Sequence, residues 1–365
     1  MMNNSVPDPR QHDSRLAAAR NGDKEQFSEL TEPYRRELQI HCYRILGTLQ
    51  EAEDLVQETF LRAWRRLDTY QGRASFRAWL YKIATNACLD VLDRRHRRLL
   101  PMELYPASDP NGMIEPPSSE IAWLEPFPDE WLVDQAADNP EARYSLHESV
   151  SLAFLTALQA LPPRQRAALI LTDVLDWPAR EAAELLETSV SSVNSALHRA
   201  RVTLAKHYHR QIQEDTIRSE PDERTQVLLD QYVKAWQTAD VERLVALLKK
   251  DAVLAMPPSP SWYRGREAIR VFAAKTVLAD QGMFGGKAQG RWKLIPLRAN
   301  AAPAFAIYQR AKEGEYQFSG IHVLTIQAHR LTQIACFMDH SLSRYFGVPP
   351  QMDRWNQSAF PREVF

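Results

Sequence analysis

The sequence predicts a multidomain protein: two all-α helical blocks followed by an α+β domain. Three observations carry this. From residue 13 to 100, apolar residues recur at three and four positions, as at Ala52, Val56, Phe60, Ala63 and Leu67, which is the period of an amphipathic helix. The same period resumes near Ser145 and runs to about Ile212. After a short polar hinge, QEDTIRSEPDER, the pattern changes type. Helices are expected over 223–238, over 240–250 and from Gly265 to Val277, then the β-like runs RWKLIPLR, AFAIYQR, FSGIHVLTIQ and LTQIACFMD. Helices first and an antiparallel sheet later describe an α+β domain, here 223–348, with an irregular tail at 349–365. A chain of 365 residues suits two or three domains.

Between the helical blocks, residues 101–145 lose the period and are rich in Pro and acid, so they read as an extended linker. Charge follows the same divisions. Tyr34 to Arg98 holds 13 Lys/Arg against 8 Asp/Glu, Pro101 to Val150 holds 1 against 11, and Leu161 to Arg210 holds 7 against 5. A basic block, an acidic connector and a second mildly basic block suit nucleic-acid binding. Hydrophobic residues make up 44% and charged residues 25%, ordinary for a soluble protein, and no apolar run is long enough to span a bilayer. The first residues, MMNNSVPDPRQHDSR, lack the apolar core of a secretory signal. Cys42, Cys88 and Cys336 are isolated, so neither a disulfide framework nor a metal site is expected; buried thiols in a reducing cytoplasm are.

The second block, 146–212, contains a helix-turn-helix pattern. Pro178 suits the first turn of a helix that continues through Ala179 to Leu186, where its missing donor costs nothing. Glu187-Thr188-Ser189 makes a break, and Ser189 is the expected N-cap of the next helix. On that helix Val190, Val193, Leu197, Ala200 and Leu204 form the apolar face. Ser191, Asn194, Ser195, His198, Arg199 and Arg201 lie opposite, able to read base edges or bond phosphates in a major groove. From pattern alone, a solvated helix of an all-α protein explains the same residues.

In the first block, EAEDLVQETFLRAWRRLDTYQGRASFRAWLYKIATNACLDVLDRRHRR resembles the core helices of domain 2 of extracytoplasmic-function sigma factors, and LPPRQRAALILTDVL with the following helix-turn-helix resembles their domain 4. The resemblance covers about 25–100 and 146–210, in the family order. It makes 13–100 sigma domain 2 and 146–212 sigma domain 4. The partners it implies are promoter DNA and core RNA polymerase, through the β′ clamp helices and the β flap. Asp54, Leu55, Gln57, Glu58 and Leu61, off the apolar stripe of their helix, become the polymerase-docking face; without the family they read as an acidic helix start suited to the macrodipole. Arg62, Trp64, Arg65, Arg66 and Tyr70 interleave cations with rings, a composition that suits unpaired DNA. The resemblance assigns promoter melting to Arg62, Arg66, Tyr70, Gln71 and Asn86, with the loop Tyr70 to Ser75 as a pocket for a flipped base. Ordinary core packing is the alternative for Trp64 and Tyr70. Arg94, Arg95, Arg97 and Arg98 suit either a helix C-terminus or duplex phosphates. Asn194, Ser195, His198 and Arg199 fall at the upstream-element positions. This chain departs from the family in having Asn194 and Ala196 where cations are frequent, and Glu187 where the turn often has Gly. Fewer phosphate contacts predict a shallower salt dependence.

In this family the linker enters basic channels of the polymerase, and acidity would imitate RNA there. A solvated tether does not explain Trp123, Leu124, Phe127, Trp131 and Leu132, which imply a docking site, expected on the C-terminal domain. Residues 223–348 resemble the SnoaL-like cone fold, whose members include enzymes and non-catalytic binding domains. Trp236, Met256, Trp262, Tyr263, His322, Phe337 and Asp339 are the pocket candidates, for a small molecule or for the chain's own linker as ligand. A catalytic version would pair a buried Asp339 with Tyr263 or His322; core packing is the plainer account. Subgroups with this extension carry a Gly triplet and a WLPEP-like motif, where this chain has Gly285-Gly286 and Trp123-Leu124-Glu125-Pro126. The resulting expectation is a non-enzymatic, cofactor-free sigma factor, cytoplasmic and not membrane-bound, with a C-terminal domain regulating it in cis. A small-molecule enzyme fused to a DNA-binding module and a one-component regulator that never touches polymerase are the alternatives.

Overall fold

A computed structural model describes residues 9–93, 98–118, 121–135, 145–211, 222–312 and 314–352. It divides into two units. The first comprises Met1–Arg98, Trp131–Ser149 and Ala153–Gln211; the second comprises Leu99–Glu130, Val150–Leu152 and Ile212–Phe365. Arg94, Arg95 and Arg97, most of the hinge and the tail beyond Met352 lie outside the described residues.

The first unit is helical. It contains α1 (Pro9–Arg20), α2 (Lys24–Thr31), α3 (Arg35–Leu46), α4 (Leu49–Arg65) and α5 (Phe76–Leu92). After these come α6 (Leu152–Gln159), α7 (Pro163–Leu169), a π turn at Ile170–Val174, α8 (Ala179–Leu185) and α9 (Val190–Gln211). Local chemistry sets the boundaries. The Asp23 carboxylate caps α2 by accepting from the backbone N–H of Glu25 and Gln26. Gly47, at φ 81°, ends α3 in the left-handed conformation that glycine adopts most easily. Ser75 caps α5 by accepting from the Ala78 N–H at 3.1 Å.

The centre of this unit is α3, where every residue from Leu38 to Leu46 is buried, as befits a helix enclosed on all sides. The apolar stripe of α4 faces inward, with Ala52, Val56, Phe60 and Ala63 buried, as is Leu67 just after the helix. The buried His41 and Arg44 of α3 each make at least one hydrogen bond, although His41 Nδ1 and Arg44 Nε are left without a partner among the described residues. Thr85 donates its only hydroxyl proton to the Tyr81 carbonyl (2.7 Å), so His41 must donate from Nε2 to Thr85 Oγ1 (2.8 Å). Burial lowers His41 to about 3 and keeps it neutral. Arg44 is buried as well and donates to Ser149 Oγ at 2.7 Å. Arg166 of α7 donates to the carbonyls of Ile45, Gln159 and Leu161, tying the second helical block to the end of α3.

The second unit is α+β, with α10 (Glu223–Thr238), α11 (Val241–Leu247) and α12 (Arg266–Lys275). Its strands are β1 (Leu248–Ala255), β2 (Trp262–Arg264), β3 (Trp292–Ala299), β4 (Ala302–Lys312), β5 (Glu315–Gln327), β6 (Arg330–Phe337) and β7 (Gln351–Met352). The sheet order is β2-β1-β6-β5-β4-β3, with β7 on β5. Leu229, Tyr232 and Trp236 of α10 and Phe272 of α12 pack against Leu254, Trp292, Phe305, Leu324 and Ile334 on one face of the sheet. Register shifts interrupt the β4–β5, β5–β6 and β1–β6 pairs. At one of them Gly320 is required by close approach, since a Cβ there would lie 2.2 Å from the Phe337 carbonyl oxygen.

Three expectations are corrected. The helix expected over 240–250 ends at Leu247, and Leu248–Ala255 is a strand. Helix propensity in the Leu-Leu-Lys-Lys run yields to cross-strand pairing. The sheet is mixed, because β1 runs parallel to β6, with Leu254 opposite Ile334. The tail beyond Pro349 begins with β7, where Met352 pairs with Tyr316.

Candidate nucleic-acid interface

Because its apolar stripe is buried, α4 turns the opposite row outward. Asp54 and Gln57 are exposed, Leu55 and Glu58 are half-buried, and Leu61 keeps 51% of its surface accessible. An apolar side chain so open beside carboxylates suits a docking face. Glu58 also pairs with Arg62 at 2.7 Å, and Arg62 reaches Asp90 at 3.4 Å. Arg62 is thus held along the helix, while Arg66 is exposed at its end. Trp64 is half-buried and meets Phe27 edge-on at 5.0 Å, which gives it a packing role.

The loop between α4 and α5 is built around Tyr70. That residue is only 9% exposed; its hydroxyl donates to the Ala74 carbonyl at 2.9 Å, and its ring lies 5.5 Å from Phe76 and 5.2 Å from Trp79. The Arg20 guanidinium donates to the Tyr70 carbonyl. Gln71 is exposed, and Gly72 turns the chain at φ 71°. An open cleft of about 610 Å³ is lined by this loop together with Trp79, Lys82, Trp177, Glu181 and Glu184. Asn86 is half-buried further along α5 and is not among the cleft's lining residues. Sequence reasoning missed Trp79 and Lys82. The signal was available, since positions 76, 79 and 82 share one face of α5.

The helix-turn-helix is formed by α8 and α9. Ser189 Oγ accepts from the Ser192 N–H at 3.1 Å, and Val193, Leu197 and Ala200 are buried, whereas Val190 is 41% exposed. Asn194, Ser195, His198 and Arg199 are all exposed along α9. Arg201 is occupied by a two-pronged pair with Asp173 at 2.7 and 2.9 Å. At the turn Glu187 takes φ 53°, the conformation for which a glycine is the easier choice. Its carboxylate lies 2.9 Å from Lys82 Nζ, and the hydrogen bond to Lys82 holds it below the usual carboxylate range.

Of the C-terminal pocket candidates, Trp236, Met256 and Tyr263 share one packed core, whereas Trp262, Phe337 and Asp339 lie outside it. Trp236 and His322 meet at 4.9 Å, and the Tyr232 hydroxyl lies 2.8 Å from His322 Nδ1. Burial lowers His322 to about 3, so it is neutral. Tyr263 stacks on Phe272 at 4.4 Å, and Met256 belongs to the same core. Phe337, one residue beyond Cys336 of that core, is buried on the sheet's other face. Trp262 Nε1 donates to the Tyr105 carbonyl at 2.9 Å. Asp339 is half-buried, not buried, and accepts from the Ser341 N–H at 2.8 Å as the cap of a 3-10 turn.

Trp262 is covered by the acidic linker, which docks on the second unit at two places. Along β2 and the loop before it, the Ser108 N–H donates to the Trp262 carbonyl (2.8 Å), the Glu115 N–H to Ser261 Oγ (2.9 Å), Ser259 Oγ to the Glu115 carbonyl (2.7 Å) and the Ser118 N–H to the Pro258 carbonyl (3.2 Å). Ile114 packs on the cone core. At the β3–β4 turn, Asn300 and Ala301 take φ 55° and 58°. Asn300 Oδ1 accepts from the Phe127 N–H (3.0 Å), and its Nδ2 donates to the Val150 carbonyl (2.7 Å). The Asn300 N–H donates to the Phe127 carbonyl at 2.9 Å, and the Ala301 N–H donates to Asp129 at 2.9 Å. Leu124 and Phe127 are buried. Trp131 and Leu132, expected on the same surface, instead belong to the first unit, where Arg36 lies 4.2 Å over the Trp131 ring.

Sequence families match the chain in this order: Sigma-70 region 2 at residues 30–98, Sigma-70 region 4 at 151–204 and the SnoaL-like domain at 229–334. Two helical sigma regions with a cone domain behind them define the class: a transcription initiation factor with a fused α+β domain. The ECF RNA polymerase sigma factor SigG of Mycobacterium tuberculosis is 43% identical over 338 residues, covering 92% of this chain and 86% of that protein. SigJ of the same species is 30% identical over 262 residues, 70% of this chain and 74% of that protein. The crystal structure of Mycobacterium tuberculosis SigJ shares the fold at a TM-score of 0.53 and 21% identity, covering 87% of this chain and 98% of that one. The chain belongs to the extracytoplasmic-function family of RNA polymerase sigma factors and carries a SnoaL-like C-terminal domain. Among the described residues no helix is long and apolar enough to cross a membrane.

Proposed function

We propose that Asp54, Leu55, Gln57, Glu58 and Leu61 dock on the β′ clamp helices of core RNA polymerase. On this reading Arg62, Arg66, Tyr70, Gln71 and Asn86 open the promoter, and domain 4 engages the β flap. Asn194, Ser195, His198 and Arg199 read the upstream element in the major groove. The observation that carries this is the outward α4 row, with half of Leu61 open, together with four exposed polar side chains on α9. Domain 2 then spans 13–100, the linker 101–145, domain 4 146–212 and the cone domain 223–348.

The cone domain is a non-catalytic regulator acting in cis in the cytoplasm, and its ligand is the linker. Support comes from the linker's hydrogen bonds along β2 and at Asn300. The catalytic pairing of Asp339 with Tyr263 or His322 finds no support among the described residues, since Asp339 serves as a cap and His322 is enclosed with Tyr232. Reconstituted transcription with core polymerase tests the reading. Asp54→Lys with Leu61→Glu should abolish co-purification with core, and Asn194→Ala with Arg199→Ala should weaken upstream binding while leaving core binding intact. Full core binding by the first variant would end the docking assignment.

A further inference from the structure

We infer that Arg20 is a positioning residue for the promoter-opening loop, acting from a helix outside the matched sigma region. The inference rests on the proposed role of the loop Tyr70–Ser75. α1 ends at Arg20, ten residues before the region 2 match begins at residue 30. Most of the loop's tethers are local: the Tyr70 N–H to the Leu67 carbonyl (3.3 Å), the Tyr70 hydroxyl to the Ala74 carbonyl (2.9 Å) and the Ala78 N–H to Ser75 Oγ (3.1 Å). Such bonds fix the loop's internal shape but not its placement. The bond from Arg20 to the Tyr70 carbonyl is a tether that spans 50 positions. Tyr70 is where placement matters, because the chain turns at Gly72 directly after it and Gln71 stands exposed beside the cleft.

α1 is itself held in place. Leu16 and Ala19 are buried, and Arg15 pairs with Glu29 of α2 at 3.3 Å. His12, two turns before Arg20, meets Phe76 edge-on at 5.4 Å, and Phe76 supports both Tyr70 and Trp79. One helix therefore braces the loop stem twice, by a cation on a carbonyl and by a ring under the aromatic cluster. A charge-assisted bond of this kind is shorter and about twice as strong as a neutral one, and misplacing a binding group by about 1 Å can cost two orders of magnitude in rate.

The test uses holoenzyme reconstituted from the full chain and core polymerase, with 2-aminopurine in the promoter segment that melts. Arg20→Ala should slow strand opening about tenfold while core affinity and the thermal midpoint stay unchanged. The slope of log affinity against log salt should also stay unchanged; a slope lowered by about one would make Arg20 a phosphate contact and overturn the positioning role. Arg20→Lys keeps α1 intact and decides the matter if the alanine variant does not fold. A threefold or larger slowing is expected, and an unchanged opening rate overturns the inference. Gln71→Ala and Asn86→Ala serve as comparators. If they slow opening and the Arg20 variants do not, this inference alone fails; if none of them slows it, the reading of the loop fails.

Discussion

Asn300→Gly isolates the clamp that the β3–β4 turn places on the linker. Glycine accepts φ 55° at least as well as asparagine, so the turn survives and only the side chain's bonds are lost. Those bonds serve the Phe127 N–H at 3.0 Å and the Val150 carbonyl at 2.7 Å, both in buried surroundings. An unpaired buried donor or acceptor costs about 1–3 kcal/mol. The carbonyl has a second lone pair and sits at the lower end, so the variant should lose about 2–4 kcal/mol from the attachment of Phe127 and Val150 to this turn. The backbone bond from the Asn300 N–H to the Phe127 carbonyl persists and keeps the loss from being larger. Amide hydrogen exchange at Phe127 reads this directly, since about 1.4 kcal/mol corresponds to a tenfold change in opening. Exchange at Phe127 should accelerate about 30-fold or more. Ala301→Gly, at φ 58° in the same turn, gives up no hydrogen bond and should change exchange less than about fivefold. Acceleration below about threefold in Asn300→Gly would refute the clamp.

Burial raises the Asp129 carboxyl from 3.8 to about 6, against the opposing pull of the Ala301 N–H and Arg298. The folded protein therefore keeps a proton that the unfolded chain releases between these values, and stability from this group falls as pH rises through that window. Compared with Asp129→Asn, the wild-type protein should gain about 2.5 kcal/mol between pH 7 and pH 4 in urea titrations; a constant difference would contradict the burial argument. Among the described residues Arg44 has no carboxylate at ion-pair distance, and burial lowers it to about 10. Arg44→Met should leave the urea midpoint unchanged or raise stability by about 1–2 kcal/mol, whereas Arg44→Ala should lower it by about 2–4 kcal/mol through the cavity left behind. Glu187→Gly relieves a left-handed φ of 53° and gives up an exposed pair with Lys82, so the helical unit should gain up to about 1 kcal/mol in thermal unfolding.

The helical architecture was legible because period and burial agree: the stripe residues of α4 from Ala52 to Ala63, and Leu67 just after it, are buried. The turn of the helix-turn-helix was legible from residue chemistry, with Ser189 capping as its type suggests. The cone domain was less so. Its first strand continues directly from a helix through Leu247-Leu248, and a parallel partner 80 positions away leaves no local trace. The site was only partly legible for a similar reason. Composition marks Tyr70 as a ring beside cations, but not that its hydroxyl is already committed to Ala74. Nor can it reveal that Arg20 reaches the loop across 50 positions. The apolar linker residues were correctly read as needing a partner, yet periodicity cannot say that Leu124 and Trp131 go to different ones.

The way the linker lies on the cone domain bears on how shortened forms of this protein behave. Cutting the chain after residue 211 discards the surface that shelters Leu124 and Phe127, each worth about 1.5–3 kcal/mol when kept from water. Such a fragment would be a stickier molecule. Any gain or loss of transcription it showed would mix the exposure of these side chains with the proposed regulation in cis, and a cleaner comparison leaves the domain in place and disables Asn300 alone.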